Sequence, residues 1–154
     1  MVKVRPMAAD EADALGLVMW DAIRHGHSLY TSAQRNAWQP EPPQGSVWAV
    51  KLGGQHVWVA CAHESPLGFL TLAGGGYVEL AFVASRKQRQ GVFSAHYGAS
   101  EAHARMRGIK RLWTHASLMA EPAFAARGFH VIGRETVERA GETLARAGME
   151  KVLT

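Results

Sequence analysis

Cysteine is almost missing: Cys61 stands alone among 154 residues. No internal disulfide can form, and a lone cysteine inside the apolar run 56–62 reads as a small buried hydrophobe of a reducing compartment. Charge is also scarce, at 19% of residues against an apolar share of 47%. That balance excludes a disordered chain and leaves enough material for a core. No apolar run approaches the roughly 20 residues of a membrane helix, and residues 1–11 carry charges where a secretion signal needs an apolar stretch. The expectation is a cytoplasmic protein with no membrane partner, organised as a single domain over residues 1–154.

Several motif classes are missing as well. There is no lysine-serine ending of a P-loop, no dinucleotide glycine fingerprint, no zinc-finger spacing, no RNA-binding aromatic signature, no heptad and no internal repeat. His25 and His27 alternate as metal ligands can, but no partner cluster with a ligand pattern accompanies them, so no metal is expected. The formal charge is +4 and the sequence pI about 9.6. Much of that excess falls in Arg86–Arg89 and Arg105–Arg111. A basic surface meets nucleic acid or a phosphorylated cofactor. With no nucleic-acid motif present, the cofactor ranks ahead and no nucleic-acid partner is expected.

What is there is a mixed order of elements. A short strand over 2–5 precedes a helix over 8–24, where Asp10, Glu11 and Asp13 favour the positive helix start. A second short helix spans 32–38 and ends before Pro40. A further helical segment runs from Ser46 to Leu52. Strands over 56–62 and 67–73 read as a hairpin through residues 63–66. After Gly74–Gly76 comes a third, more apolar strand over 77–84, then a long amphipathic helix over 92–107 stopped by Gly108. A strand over 109–116, a short helix over 121–127 and two final strands complete the chain. This is an α/β domain with a mixed, mostly antiparallel sheet, not a repeated βαβ pattern.

The informative segment runs from Glu79 to Ser94. A strand delivers the chain into a basic loop, and Gly91 opens the long helix. Backbone N–H groups at a helix start have no internal partner and face an anion. Arg86, Lys87 and Arg89 add positive charge, which suits a diphosphate.

Ala81-Phe82-Val83 followed by Gln88-Arg89-Gln90-Gly91-Val92-Phe93 resembles the first signature of the GNAT superfamily of acetyl-CoA-dependent N-acetyltransferases. Residues 120–129, closing on Gly128-Phe129, resemble its second. The opening Val4-Arg5-Pro6 is similar too, and residues 30–38 and 114–117 resemble segments of a small bacterial single-domain subgroup. The resemblance covers essentially the whole chain. It implies a GNAT-type sheet flanked by helices and splayed between its fourth and fifth strands, with the strands parting after Val83. It implies acetyl-CoA as co-substrate and a small-molecule or peptide amine as acceptor, and it leaves a homodimer open.

Carried over by residue, Ala81, Phe82 and Val83 would pair with the acetyl carbonyl and pantetheine arm. Amides of Gln88, Arg89, Gln90, Gly91, Val92, Phe93 and Ser94 would hold the diphosphate, and Ser117 would contact the arm. Glu79 is the first candidate base, since strand alternation puts it on one face with Ala81. His115 is the second, because histidine titrates near neutrality. The plainer role of each is a paired strand carboxylate and a packed ring. His27, Tyr30 and Trp38 would line the acceptor side, with burial as the plainer role of Trp38. His96 and His103 read as helix-packing residues. Two departures stand out. Phe93 replaces a small residue where backbone and phosphate approach closely, although packing on Tyr97 one turn later would turn the ring aside. Phe124 replaces a tyrosine thought to protonate the leaving thiolate. These two leave a second reading open, an acyl-CoA-binding module with little catalysis.

Overall fold

The computed structural model describes residues 2–154. In chain order the elements are β1 (Lys3–Pro6), α1 (Ala12–His25), α2 (Ser32–Trp38), α3 (Gly45–Gly53), β2 (His56–Ala62), β3 (Ser65–Ala73), β4 (Tyr77–Val83), α4 (Val92–Met106), β5 (Arg111–Ser117), α5 (Ala120–Ala125), β6 (His130–Arg139) and β7 (Glu142–Val152). The strands form one sheet in the order β1-β2-β3-β4-β5-β7-β6. Every neighbouring pair is antiparallel except β4 and β5. The mixed α/β sheet expected from the sequence is present.

Boundaries differ where side chains intervene. The first helix begins at Ala12 rather than Ala8, because Glu11 N–H bonds the Ala8 carbonyl in a separate turn. The Glu11 carboxylate is meanwhile forked by Arg5 at 2.8 and 2.6 Å. The β2–β3 hairpin closes on two residues, His63 and Glu64, both at positive φ (51° and 67°), a primed turn that matches strand twist. Pro6 ends β1 on the sheet edge, where its missing N–H costs no ladder bond.

Helices cover both faces. On one face α1 and α3 set Leu15, Ile23, Trp48 and Leu52 against Val57, Val59, Phe69 and Leu80. On the other, Tyr97 and Ala104 of α4 join Leu70, Leu72, Val78, Leu112, Phe124 and Phe129. The approach of α4 to the sheet needs a glycine: a Cβ on Gly68 would stand 2.7 Å from the Phe82 carbonyl oxygen and 3.0 Å from Val92.

Two features of β4 open the sheet. Leu70 pairs with Ala81 and Leu72 with Val78, so Glu79 and Leu80 together oppose Thr71 alone. This is a β-bulge, and the buried Thr71 hydroxyl accepts the Leu80 N–H at 3.1 Å. Beyond the bulge the parallel pairing ends. It covers only Tyr77 with Trp113 and Val78 with Thr114, and Thr114 Oγ1 donates to the Val78 carbonyl at 2.8 Å. The strands therefore part after Val78, five residues earlier than the sequence resemblance implied.

Candidate active site

Two clefts meet at this opening. The first, about 330 Å³, is lined by Lys51, Tyr77, Glu79, His115, Arg139 and Arg146 among others. The second, about 310 Å³, runs past His27, Val83, Gln88, Arg89, Gly91, Phe93 and Ser94 to Ala123. Trp38, Ala81, Phe82, Ser117 and Ala120 line both.

The second cleft fits a diphosphate by its backbone. Gly91, the residue before α4, takes φ +86°, which glycine adopts without cost. The first bond of this helix end runs from Ala95 N–H to the Gly91 carbonyl at 3.1 Å, leaving the Val92, Phe93 and Ser94 amides without a partner inside the helix. Since Ala84 N–H bonds Leu67 across β3 at 2.7 Å, alternation turns the backbone groups of Ala81 and Val83 toward the gap. Phe93 does not fill the cradle. Its ring stacks on Tyr97 at 5.7 Å and meets Phe124 edge-on at 5.2 Å, joining the core as the one-turn spacing suggests.

The other residues of this segment serve differently. Val92 is 1% exposed, so only its amide is available. The Gln88 side chain is structural: Nε2 donates to the Val83 carbonyl at 3.1 Å, and Oε1 accepts the His27 N–H at 3.2 Å. Gln90 turns back to the Arg86 carbonyl at 3.0 Å and lines neither cleft. Ser117 accepts the Ala120 N–H at 3.2 Å, fixing the entry to α5.

The first cleft carries the titratable groups. The bulge overturns the alternation expected for Glu79 and Ala81: Val78 and Ala81 pack toward α4, while Leu80 and Phe82 pack toward α1. Glu79 reaches instead to the end of α3, accepting from Gln55 Nε2 at 2.6 Å and standing 3.6 Å from Lys51 Nζ. Both residues still border one opening, because the gap cuts through the sheet. His115 faces the cleft, with Nδ1 2.9 Å from the Tyr77 hydroxyl and Nε2 3.9 Å from Glu135. Burial and the charge of Arg146 hold its pKa below the ordinary histidine value. It is therefore neutral at pH 7 and able to take a proton. Burial, then the Glu79 charge, raises the Tyr77 hydroxyl.

Of the three residues expected on the acceptor side, Trp38 borders both clefts, whereas His27 lines only the second. Tyr30 lines the first, but its hydroxyl is spent on backbone: it donates to Ala145 O at 2.5 Å and accepts from Leu118 N–H at 3.1 Å. Phe124 is 2% exposed and packs against Phe93, Tyr97 and Phe129. His96 and His103 pack as expected, His96 fully buried and His103 against His56 and Trp58. Sequence reading missed Tyr77, Lys51, Arg139 and Arg146. Tyr77 reaches His115 only through the non-local parallel pairing of β4 with β5, which no local pattern signals.

A sheet parted beside a helix start whose free amides face the gap can hold the diphosphate of a carrier-bound group with its far end at the opening. Residues 30–152 match the family model described as the acetyltransferase (GNAT) domain. The chain is 30% identical over 112 residues to the uncharacterised N-acetyltransferase YafP of Escherichia coli K12, an alignment spanning 73% of this chain and 69% of that protein. A GCN5-related N-acetyltransferase structure from Rhodopseudomonas palustris superposes with a TM-score of 0.87 at 27% identity, covering 98% of this chain and 95% of that one. The fold is also that of PaiA N-acetyltransferase from Thermoplasma acidophilum, solved in complex with coenzyme A (TM-score 0.76, 13% identity, 99% of each chain). The chain belongs to the GNAT acetyltransferases and is an acyltransferase.

Proposed function

We propose that the chain, acting as a single domain, moves an acetyl group from acetyl-CoA directly to the primary amine of a small molecule. The observation that carries this reading is the junction at Ala81, where the cleft beside the α4 amides meets the cleft holding Glu79 and His115. Bound acetyl-CoA supplies an activated acetyl group and a thiolate that leaves readily. The amides of Val92, Phe93 and Ser94 hold the diphosphate. The Ala81 N–H, turned into the gap, is placed to stabilise charge on a carbonyl oxygen there.

Glu79 draws a cationic amine into the first cleft. Its Oε1 is engaged by Gln55 and its Oε2 faces Lys51, so it serves better as an electrostatic guide than as sole base. The His115–Tyr77 pair takes the amine proton, the ring being neutral at working pH. Holding both reactants at one junction supplies orientation without a covalent enzyme intermediate. Cys61 fits this, being buried on β2 among Ala60 and its neighbours, away from both clefts.

The first cleft favours a small molecule over a protein tail. Beside it, residues 30–34 are tied to β7, Gln34 Nε2 donating to the Thr143 carbonyl at 2.8 Å and the Tyr30 hydroxyl to the Ala145 carbonyl, which narrows the approach from that side. The test is acetyl-CoA turnover on a panel of primary amines, read by release of the CoA thiol. Transfer to at least one amine, sharply reduced in His115→Gln and weakened through KM in Glu79→Gln, supports the proposal. Calorimetric binding of CoA with no turnover on any amine favours the acyl-CoA-binding module, a reading motivated by the hydroxyl-less Phe124.

A further inference from the structure

The acceptor cleft is asymmetric in charge. At its α3 end, Lys51 and Glu79 face each other at 3.6 Å and offset one another. At its far end it is overhung by the β6–β7 hairpin, whose register pairs Glu135 with Arg146 and Val137 with Leu144. One face of that hairpin therefore presents Val137, Arg139, Leu144 and Arg146 to the cleft. Arg146 spends Nε and Nη2 on a single oxygen of Glu135, at 2.9 and 2.7 Å. Its Nη1 has no hydrogen bond among the described residues. Arg139 stands in no ion pair among the described residues and donates only to the backbone carbonyl of Glu138 at 3.0 Å. Once the two pairs are offset, Arg139 remains at this end opposite Glu142, with which it forms no ion pair among the described residues, and several guanidinium N–H donors are left free.

From this arrangement we infer that the acceptor is a small zwitterion: an amine that also carries a carboxylate, held by Arg139 and the free edge of Arg146, with its amine directed toward Glu79 and Tyr77. Guanidinium N–H pairs match a carboxylate in plane and give charge-assisted bonds. Guanidinium donors at the hairpin end, against an offset Lys51–Glu79 pair at the α3 end, fix which way round such a molecule lies. A cleft of about 330 Å³ suits an amino-acid-sized ligand and not an extended peptide.

The inference rests on the transferase reading, and the test separates the two. The twenty common L-amino acids and their carboxamides, which remove the negative charge at almost constant shape, are compared in calorimetric binding to the free protein and to protein loaded with desulfo-CoA, and in acetyl-CoA turnover. Aminomethylphosphonate is added to distinguish a tetrahedral anion from a carboxylate. The expected result is at least one free acid that outcompetes its amide by about tenfold or more in 1/Kd or 1/KM, the scale of one charge-assisted pair. In Arg139→Gln that ratio collapses toward one through KM, with kcat little changed. Amides equal to acids throughout, a ratio unmoved in Arg139→Gln, or no binding of any amino acid overturns the inference. Preference for the phosphonate over every carboxylate overturns the carboxylate assignment. If acids bind the free protein selectively but desulfo-CoA does not bind at all, the transferase reading fails and the charge preference stands.

Discussion

Neutralising His96 should flatten the acid limb of the stability curve. The ring is 0% exposed, its Nε2 lies 3.4 Å from the Phe82 carbonyl, and its Nδ1 has no hydrogen-bond partner among the described residues. Burial lowers its pKa from 6.5 to about 4, against a smaller opposing contribution from the Phe82 carbonyl. The unfolded chain thus binds a proton below about 6.5 that the fold refuses until about 4. Stability is full above 6.5 and falls as pH drops through that interval. At about 1.4 kcal/mol per pH unit, a gap of some two and a half units amounts to about 3 kcal/mol. Urea unfolding of wild type and His96→Leu at pH 7, 6, 5 and 4 measures it. The wild type should lose about 3 kcal/mol more than the variant across the series, whatever the two share from other groups. A difference between them that stays within about 0.5 kcal/mol over the range refutes the burial argument.

Other consequences reach the chemistry more directly. His115→Gln should lower kcat/KM by about a hundredfold and remove an acid limb whose midpoint lies below 6.5, read from pH–rate profiles of turnover. Retention of that limb in the variant assigns it elsewhere. Tyr30→Phe strands the Leu118 N–H and the Ala145 carbonyl, so thermal unfolding should register a loss of about 1–3 kcal/mol. A rise in acceptor KM without loss of stability would instead make Tyr30 a substrate contact.

The order of elements was legible because it rests on local signals: apolar alternation on β2 to β4, Gly91 and Gly108 bracketing the long helix, and proline after α2. The helix-start cradle was legible for the same reason, being built from one contiguous stretch of backbone. The bulge was not. It exists because Thr71, nine residues away on another strand, offers a buried hydroxyl to the Leu80 N–H, and nothing around Glu79 announces that. Hence a face assignment based on simple alternation failed for Glu79 and Ala81. The acceptor cleft was the least legible part. Its charged rim comes from α3, β5 and the β6–β7 hairpin, meeting through parallel pairing and a register that only the assembled sheet specifies. The ring of Phe93 was readable in outline from its one-turn spacing to Tyr97, but its second partner, Phe124, lies 31 positions on.

Whether main-chain donors at the head of α4 grip a diphosphate is decided by comparing CoA with pantetheine in calorimetric titration of the wild type and Gly91→Ala. A Cβ at Gly91 meets no atom within 4 Å, so the substitution acts through the φ of +86° alone, a strain of about 1–2 kcal/mol. CoA should bind wild type at least about tenfold more tightly than pantetheine does, and Gly91→Ala should narrow that margin while leaving pantetheine nearly unaffected. Equal affinity of the two ligands for the wild type, or no heat with CoA, contradicts the account.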